Sequence, residues 1–380
     1  MRRPPTRSPR GLFSLAIAGW LALALWVGSG LAPERSWANG VGDLYVATPT
    51  GVAEVLVATG EVLARVPLRA APRALAFDPG GAVLYATGGA ETVEPIDIES
   101  LEATAALPLP GRATALAHPS GGALVVALAG DRRLAIVDPT RGTTTRSAAL
   151  PGPADLLAAD RRREVVLAAE SGKPWLALLD RDARLVSTTL DGRVTAIAVS
   201  AAGDPIVATR APATVRRLAA RDLDVAWSVA LPAAPDAVAA LADGVVAAAG
   251  RSLFWVDGAG AKPWRTLASP VTALAASDDG GVLYAATEAG LDAITVDGRA
   301  VHVAVDLVSG PGTLAPVPRP ASLAGSGPGS SVGAGDRPPS TSTIGPAVRP
   351  EPAIGVGLAA ALVVLFAAVA VARRVGGAGS

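Results

Sequence analysis

An all-β chain built from seven like sheets is what this sequence predicts, and three observations predict it. A unit of about forty residues recurs seven times between Asp43 and Pro318. Each copy is three or four short apolar runs separated by turn residues, the pattern of a four-stranded propeller blade. The first and last copies are both incomplete, and each carries what the other lacks.

The copies are read most easily from their middle. One runs Arg73-Ala-Leu-Ala-Phe-Asp-Pro-Gly-Gly, then Ala82-Val-Leu-Tyr-Ala-Thr, then Thr92-Val-Glu-Pro-Ile-Asp. The next runs Thr114-Ala-Leu-Ala-His-Pro-Ser-Gly-Gly, Ala123-Leu-Val-Val-Ala-Leu and Leu134-Ala-Ile-Val-Asp. A late copy runs Thr272-Ala-Leu-Ala-Ala-Ser-Asp-Asp-Gly-Gly, Val282-Leu-Tyr-Ala-Ala-Thr and Asp292-Ala-Ile-Thr-Val-Asp. Their second runs begin near Asp43, Ala82, Ala123, Glu164, Pro205, Gly244 and Val282. Gly- and Asp-rich turns such as Asp78-Pro79-Gly80-Gly81 follow the first run, where a tight hairpin needs positive φ. Third runs tend to close on aspartate, at Asp97, Asp138, Asp180, Asp257 and Asp297. Such an aspartate folds back on its own backbone to start the next turn.

The repeat region opens at Asp43-Leu-Tyr-Val-Ala-Thr, a second strand with no first. It closes through Gly312-Thr-Leu-Ala-Pro-Val-Pro318, a first strand with nothing after it. The fold class is therefore a seven-bladed β-propeller whose C-terminal strand completes the N-terminal blade. Closure of that kind pairs edges that would otherwise be exposed.

The repeat resembles the YVTN-type β-propellers, with WD40 and NHL propellers as neighbours. Asp78-Pro-Gly-Gly, Leu84-Tyr-Ala-Thr and Pro95-Ile-Asp stand at the matching positions, as do Leu283-Tyr-Ala-Ala-Thr and Thr295-Val-Asp. The resemblance spans residues 43 to 318 and implies a surface or periplasmic propeller. Threonine or alanine stands here where the family's second strand often ends on asparagine.

The flanks predict a route out of the cytoplasm. Arg2, Arg3, Arg7 and Arg10 precede an uncharged run from Gly11 to Val27, and Ser36-Trp37-Ala38 offers small residues to a signal peptidase. Residues 1–38 are thus a signal helix, with an uncleaved anchor as the alternative, and 39–318 the propeller. Residues 319–352 are dominated by Pro, Ser, Gly, Ala and Thr and predict an extended stalk without a core. Within 353–374, the uncharged run Ile354–Ala372 would span about 28 Å as a transmembrane helix. Arg373 and Arg374 follow it and place residues 375–380 in the cytoplasm. The expected location is a single-pass cell membrane protein with its propeller on the extracytoplasmic side. Pro350-Glu351-Pro352 ahead of that run also resembles a PEP-CTERM sorting tail, so retention and removal of the tail both stand open.

Composition narrows the chemistry. Net charge is zero, so no basic field points to nucleic acid. Cysteine is absent, which leaves no disulfide, thiolate metal site or thioether-linked haem. His118 sits in a turn slot and His302 on the outer part of the last blade; two isolated histidines build neither a metal centre nor a triad. Glu91, Glu94, Asp97, Glu99 and Glu102 lack the dense oxygen spacing of a calcium loop and read as a solvated edge. No catalytic residue, metal or cofactor is assigned.

A ligand face can still be named. The loops after second and fourth strands are the varied ones, and they carry Arg73, Arg112, Asp155, Arg193 and Asp236 at the entrances to the innermost strands. Arg132, Lys173 and Trp175 stand in outer loops of the same face. Convergent arginines there would hold an anionic group or an acidic segment, or else pair with Asp155 and Asp236. The expected function is a non-catalytic binding or scaffold module for a protein, cell-surface or cell-wall ligand. The alternative is a propeller enzyme or redox accessory, lactonase-like or quinoprotein-like, with its ligand in the channel.

Methionine occurs only at the start, asparagine only at Asn39 and glutamine nowhere. The missing residues are the thermolabile ones, which points to a thermophilic source, against a GC-rich genome as the other explanation. The purified propeller is expected to melt above about 60 °C. A lower midpoint in a thermal scan would assign the missing amides to genome composition.

Overall fold

The computed structural model describes residues 44–318 apart from 121, 161–163, 181 and 183. The predicted signal helix, stalk, transmembrane helix and cytoplasmic tail lie outside the described residues. Among the described residues no helix is long and apolar enough to cross a membrane.

Seven antiparallel sheets form, one per repeat. The second strands are Leu44–Thr48, Val83–Thr87, Leu124–Leu128, Val165–Ala169, Pro205–Arg210, Val245–Ala249 and Val282–Thr287. The periodicity of the turns is therefore sufficient to place each repeat to within a residue. Innermost strands, in blade order, are Leu314–Pro316, Ala74–Phe77, Ala113–Ala117, Leu156–Asp160, Arg193–Val199, Ala237–Ala240 and Val271–Ala276. Blade 1 takes its inner strand from the far end of the chain: Leu44 pairs with Pro316, Tyr45 with Ala315 and Val46 with Leu314.

Burial follows position within a blade. Leu44–Thr48, Leu124–Leu128, Trp175–Leu179 and Val282–Thr287 are buried at every residue because a neighbouring blade covers each face. These strands accordingly read as continuous apolar runs. Outer strands meet solvent, and Thr143–Arg146 is exposed throughout. The core is divided into seven seams between adjacent blades. Tyr284, Leu44, Val46 and Leu314 meet in the seam between blades 7 and 1. Tyr45, Phe77, Leu84 and Ala315 meet in the next, with the Tyr45 and Phe77 rings edge to face at 5.4 Å.

Local chemistry places the turns. Asp78 accepts from the N–H of Val83 (2.7 Å) and Gly80 (3.1 Å), and Ser277 accepts from Val282 (2.9 Å). The aspartates closing third strands act as expected: Asp97 takes the Ser100 N–H, Asp138 those of Thr140 and Arg141, and Asp257 those of Ala259 and Gly260. These bonds hold the Asp97 and Asp257 carboxyls below the usual carboxylate range. Asp180 caps Asp182 and Arg184 in the same way. Asp297 lies two residues past its strand and is held low first by the Thr295 hydroxyl.

Glycine is required where blades 1 and 7 turn from second to third strand. Gly51 (φ 151°) and Gly290 (φ 132°) leave no room for a side chain: a Cβ would stand 2.1 Å from the Val66 carbonyl and 2.3 Å from that of Val303. In blade 2 the outer strand splits into Glu102–Ala103 and Leu107–Pro108, both on Thr92–Asp97. The break lies opposite Pro95, which has no N–H to give to a partner.

Leu314, Ala315 and Val317 are buried across the two seams that flank blade 1. Removing residues 312–318 strips both seams and frees the edge of Leu44–Thr48, several kcal/mol against a total stability of about 5–15. The truncated chain is expected to lose cooperative folding. A soluble truncation with an unchanged melting curve would refute closure as the source of stability.

Candidate functional site at the channel mouth

Seven equivalent positions ring one mouth of the axial channel: Arg73, Thr114, Asp155, Thr195, Asp236, Thr272 and Thr313. Each stands one residue ahead of the segment that lines the channel, such as Ala74-Leu75-Ala76 or Ala115-Leu116-Ala117. Six of them solve the same problem, which is to satisfy the carbonyl near the end of the adjacent second strand.

Two kinds of donor reach it. In blades 2, 4 and 6 the residue's own backbone N–H donates: Arg73 to Thr87 (2.6 Å), Asp155 to Ala169 (3.1 Å) and Asp236 to Ala248 (2.7 Å). In blades 3, 5 and 7 the inner strand bulges at this position. The extra residue is a threonine each time, and its hydroxyl reaches the carbonyl. Thr114 bonds Ala127 (3.1 Å), Thr195 bonds Ala208 (3.3 Å) and Thr272 bonds Ala286 (3.3 Å). A bulge leaves the extra residue out of the ladder, and its short β-branched hydroxyl side chain ties it to the facing carbonyl.

The two carboxylates tie strand to loop. Asp155 accepts from the Ser171 N–H at 2.7 Å and Asp236 from the Gly250 N–H at 2.8 Å. Asp155 is half-buried, and burial raises its carboxyl above the usual range; the nearby Glu170 charge adds to the rise and the Ser171 bond opposes it. Asp236 is exposed.

Asp155, Asp236, Thr195 and Thr272 line a cavity of about 100 Å³ at this mouth. Beyond it, Ile197, Val238 and Leu274 form part of an apolar girdle shared with a cavity of about 550 Å³ at the opposite mouth. Small side chains widen that second cavity, among them Ala198, Ala239 and Ala275, and Asp160, Ser200, Ser277 and Asp278 also line it. The innermost strands pair on one side only, so their other edges give the channel wall backbone donors and acceptors.

The structure gathers some of the residues named from sequence and separates others. Asp155 and Asp236 share the mouth cavity. Arg73 and Arg112 meet over Gly89, where both side chains come within 3.8 Å of the place a Cβ would occupy. Arg112 donates from Nε to the Gly89 carbonyl (3.0 Å). Arg193 is exposed at the start of its inner strand, opposite Arg210. Arg132 donates to the Leu150 carbonyl (3.2 Å), and Lys173 is exposed in a loop whose backbone bonds Val194 of the next blade. Trp175 is 7% exposed and packs in the seam between blades 3 and 4, away from the loop surface.

The histidines also have specific surroundings. His118 follows its strand directly but is buried, with its ring 5.4 Å from Tyr85 and Nδ1 2.8 Å from the Pro119 carbonyl oxygen. It fills the slot that Phe77 fills in blade 2. His302 has no acidic neighbour in its own strand, but across the sheet it lies 2.9 Å from Asp292. Among the described residues no group of three or more His, Asp or Glu is placed to hold a metal ion. The bulge threonines escaped the sequence reading. Their signal was the recurring Thr-Ala-Leu-Ala or Thr-Ala-Ile-Ala at one register.

No family model and no curated protein matches the chain. Solved propellers do: the structure of U3-55K superposes with a TM-score of 0.54 at 13% identity, covering 66% of this chain and 89% of that one. At that identity the likeness establishes the fold and nothing finer. The chain is a seven-bladed β-propeller.

Two substitutions test this description. Thr195→Val keeps the shape but removes the hydroxyl's bond to the Ala208 carbonyl, and is expected to cost about 0.5–1.5 kcal/mol in chemical denaturation. Asp155→Asn removes a charge whose folded-state carboxyl is raised. Stability linked to such a group is complete below the unfolded-state value and is lost as pH rises through the folded one. The variant is therefore expected to melt higher than the parent at neutral pH, with the gap closing once the pH falls below the usual carboxylate range.

Proposed function

We propose that this chain is a non-catalytic binding or scaffold module, a propeller of the YVTN type held outside the membrane by a C-terminal helix. The closing strand is the observation that carries the reading. Leu44 and Pro316 are paired, so both chain ends leave blade 1 on the face with the short Gly/Asp turns. An anchor that follows Pro318 is then attached to that face. The opposite face, with Arg73, Arg112, Arg193, Asp155 and Asp236, is turned toward whatever is bound.

The chemistry of that face supports a polar partner. Arg73 and Arg112 converge beside the mouth cavity, and a guanidinium pair on a rigid ring suits an acidic segment of a protein or cell-surface polymer. Rigidity helps because the loops are tied down at Asp155 and Asp236 before a ligand arrives, which limits the entropy lost on binding.

The test is capture of the tagged full-length protein from its native membranes, beside an Arg73→Glu/Arg112→Glu variant. A stoichiometric partner retained by the parent and lost by the variant is the expected outcome. Recovery of the propeller alone from both would overturn the reading. In the same cells, protease added outside the membrane is expected to digest the propeller.

A further inference from the structure

A pocket of about 280 Å³ opens between blades 5 and 6 on the face with the short turns, opposite the loops discussed above. Trp227, Arg217 and Ile206 from blade 5 form one wall; Asp243, Asp257 and Gly258 from blade 6 form the other. Trp227 is partly exposed, on an outer strand whose other residues are exposed except Val229. Trp255 and Trp264 are also partly exposed, but they pack on each other, ring to ring at 5.8 Å, and Trp255 lies against Gly244. What faces Trp227 is Gly258, where a Cβ would sit 3.5 Å from the indole. Glycine thus leaves an indole bordering open space.

The rim is polar and fixed. Arg217 is held by Asp204 through Nε (2.9 Å) and Nη2. Asp257 accepts two turn N–H groups through Oδ1, while Oδ2 stands 3.5 Å from the Lys262 ammonium. Those pairs balance, so exposed Asp243 leaves the rim negative. We propose that this pocket binds one neutral pyranose unit of a glycan. A pyranose ring has an apolar C–H face that can lie on an indole. Its hydroxyls both donate and accept, matching carboxylates and a guanidinium on one rim. The negative rim rejects a sugar carrying a carboxylate.

Saturation-transfer NMR on the purified protein tests this, with methyl β-glucopyranoside and methyl β-galactopyranoside as probes and methyl β-glucuronide as the anionic comparison. Transfer to at least one neutral glycoside is expected at millimolar concentration. Trp227→Ala should weaken it about tenfold. Gly258→Ala fits its backbone without strain, places a methyl on the indole and should also lower affinity, while leaving the melting midpoint unchanged. Asp243→Asn should narrow the difference between neutral and anionic sugars. Absence of transfer from both neutral probes would overturn the proposal. So would equal binding of the glucuronide, or binding undiminished in Gly258→Ala. The pocket and the arginine loops lie on different faces, so Arg73→Glu/Arg112→Glu should leave sugar binding intact, and failure here leaves the membrane-module reading standing.

Discussion

Pairing of Leu314–Pro316 with Leu44–Val46 is the contact on which the rest of the molecule depends. Every blade borrows its core from its two neighbours, since second and third strands are covered on both faces only when a blade stands on each side. An open ring would leave two such faces bare and a free strand edge between them. Leu314 and Ala315 supply apolar surface to both seams flanking blade 1, so three residues of pairing connect what are otherwise local sheets into one cooperative unit. Contacts within a blade are short in sequence; this one spans the whole ring and is formed against the largest loop-closure entropy.

Much of this was legible from the chain because the turns carry specific chemistry. Asp78, Ser277, Asp97 and Asp257 take backbone N–H groups at positions that recur with the repeat, so reading the turns places the strands between them. Less legible was anything that depends on how a strand departs from regularity. Thr114, Thr195 and Thr272 look like ordinary strand residues until the bulge shifts the register by one. The split outer strand of blade 2 was latent in Pro95, but a proline in a strand does not say which neighbour breaks. Arginine directions were not legible at all. Arg112 turns to the Gly89 carbonyl because that acceptor is near, a fact of three dimensions.

The channel shows how a repeat can be uniform in shape and varied in chemistry. The same backbone position is arginine, threonine or aspartate in different blades, and all three satisfy an equivalent carbonyl by a backbone N–H or a hydroxyl. Since the structural task is met either way, side chains at the mouth are free to differ. Asp155 and Asp236 use that freedom to brace loops while standing in the mouth cavity. Recognition can thus be written on this ring without changing its frame.

The direction of the closing strand has a mechanical consequence. It runs along the channel axis and ends at Pro318, so a pull applied at that end along the axis acts along the strand's own length. Antiparallel ladder bonds lie perpendicular to that line. They are loaded together, in shear, and must yield at once, whereas a pull across the sheet would peel them one by one. A ring sewn shut in this way resists tension best when it is applied along the channel axis.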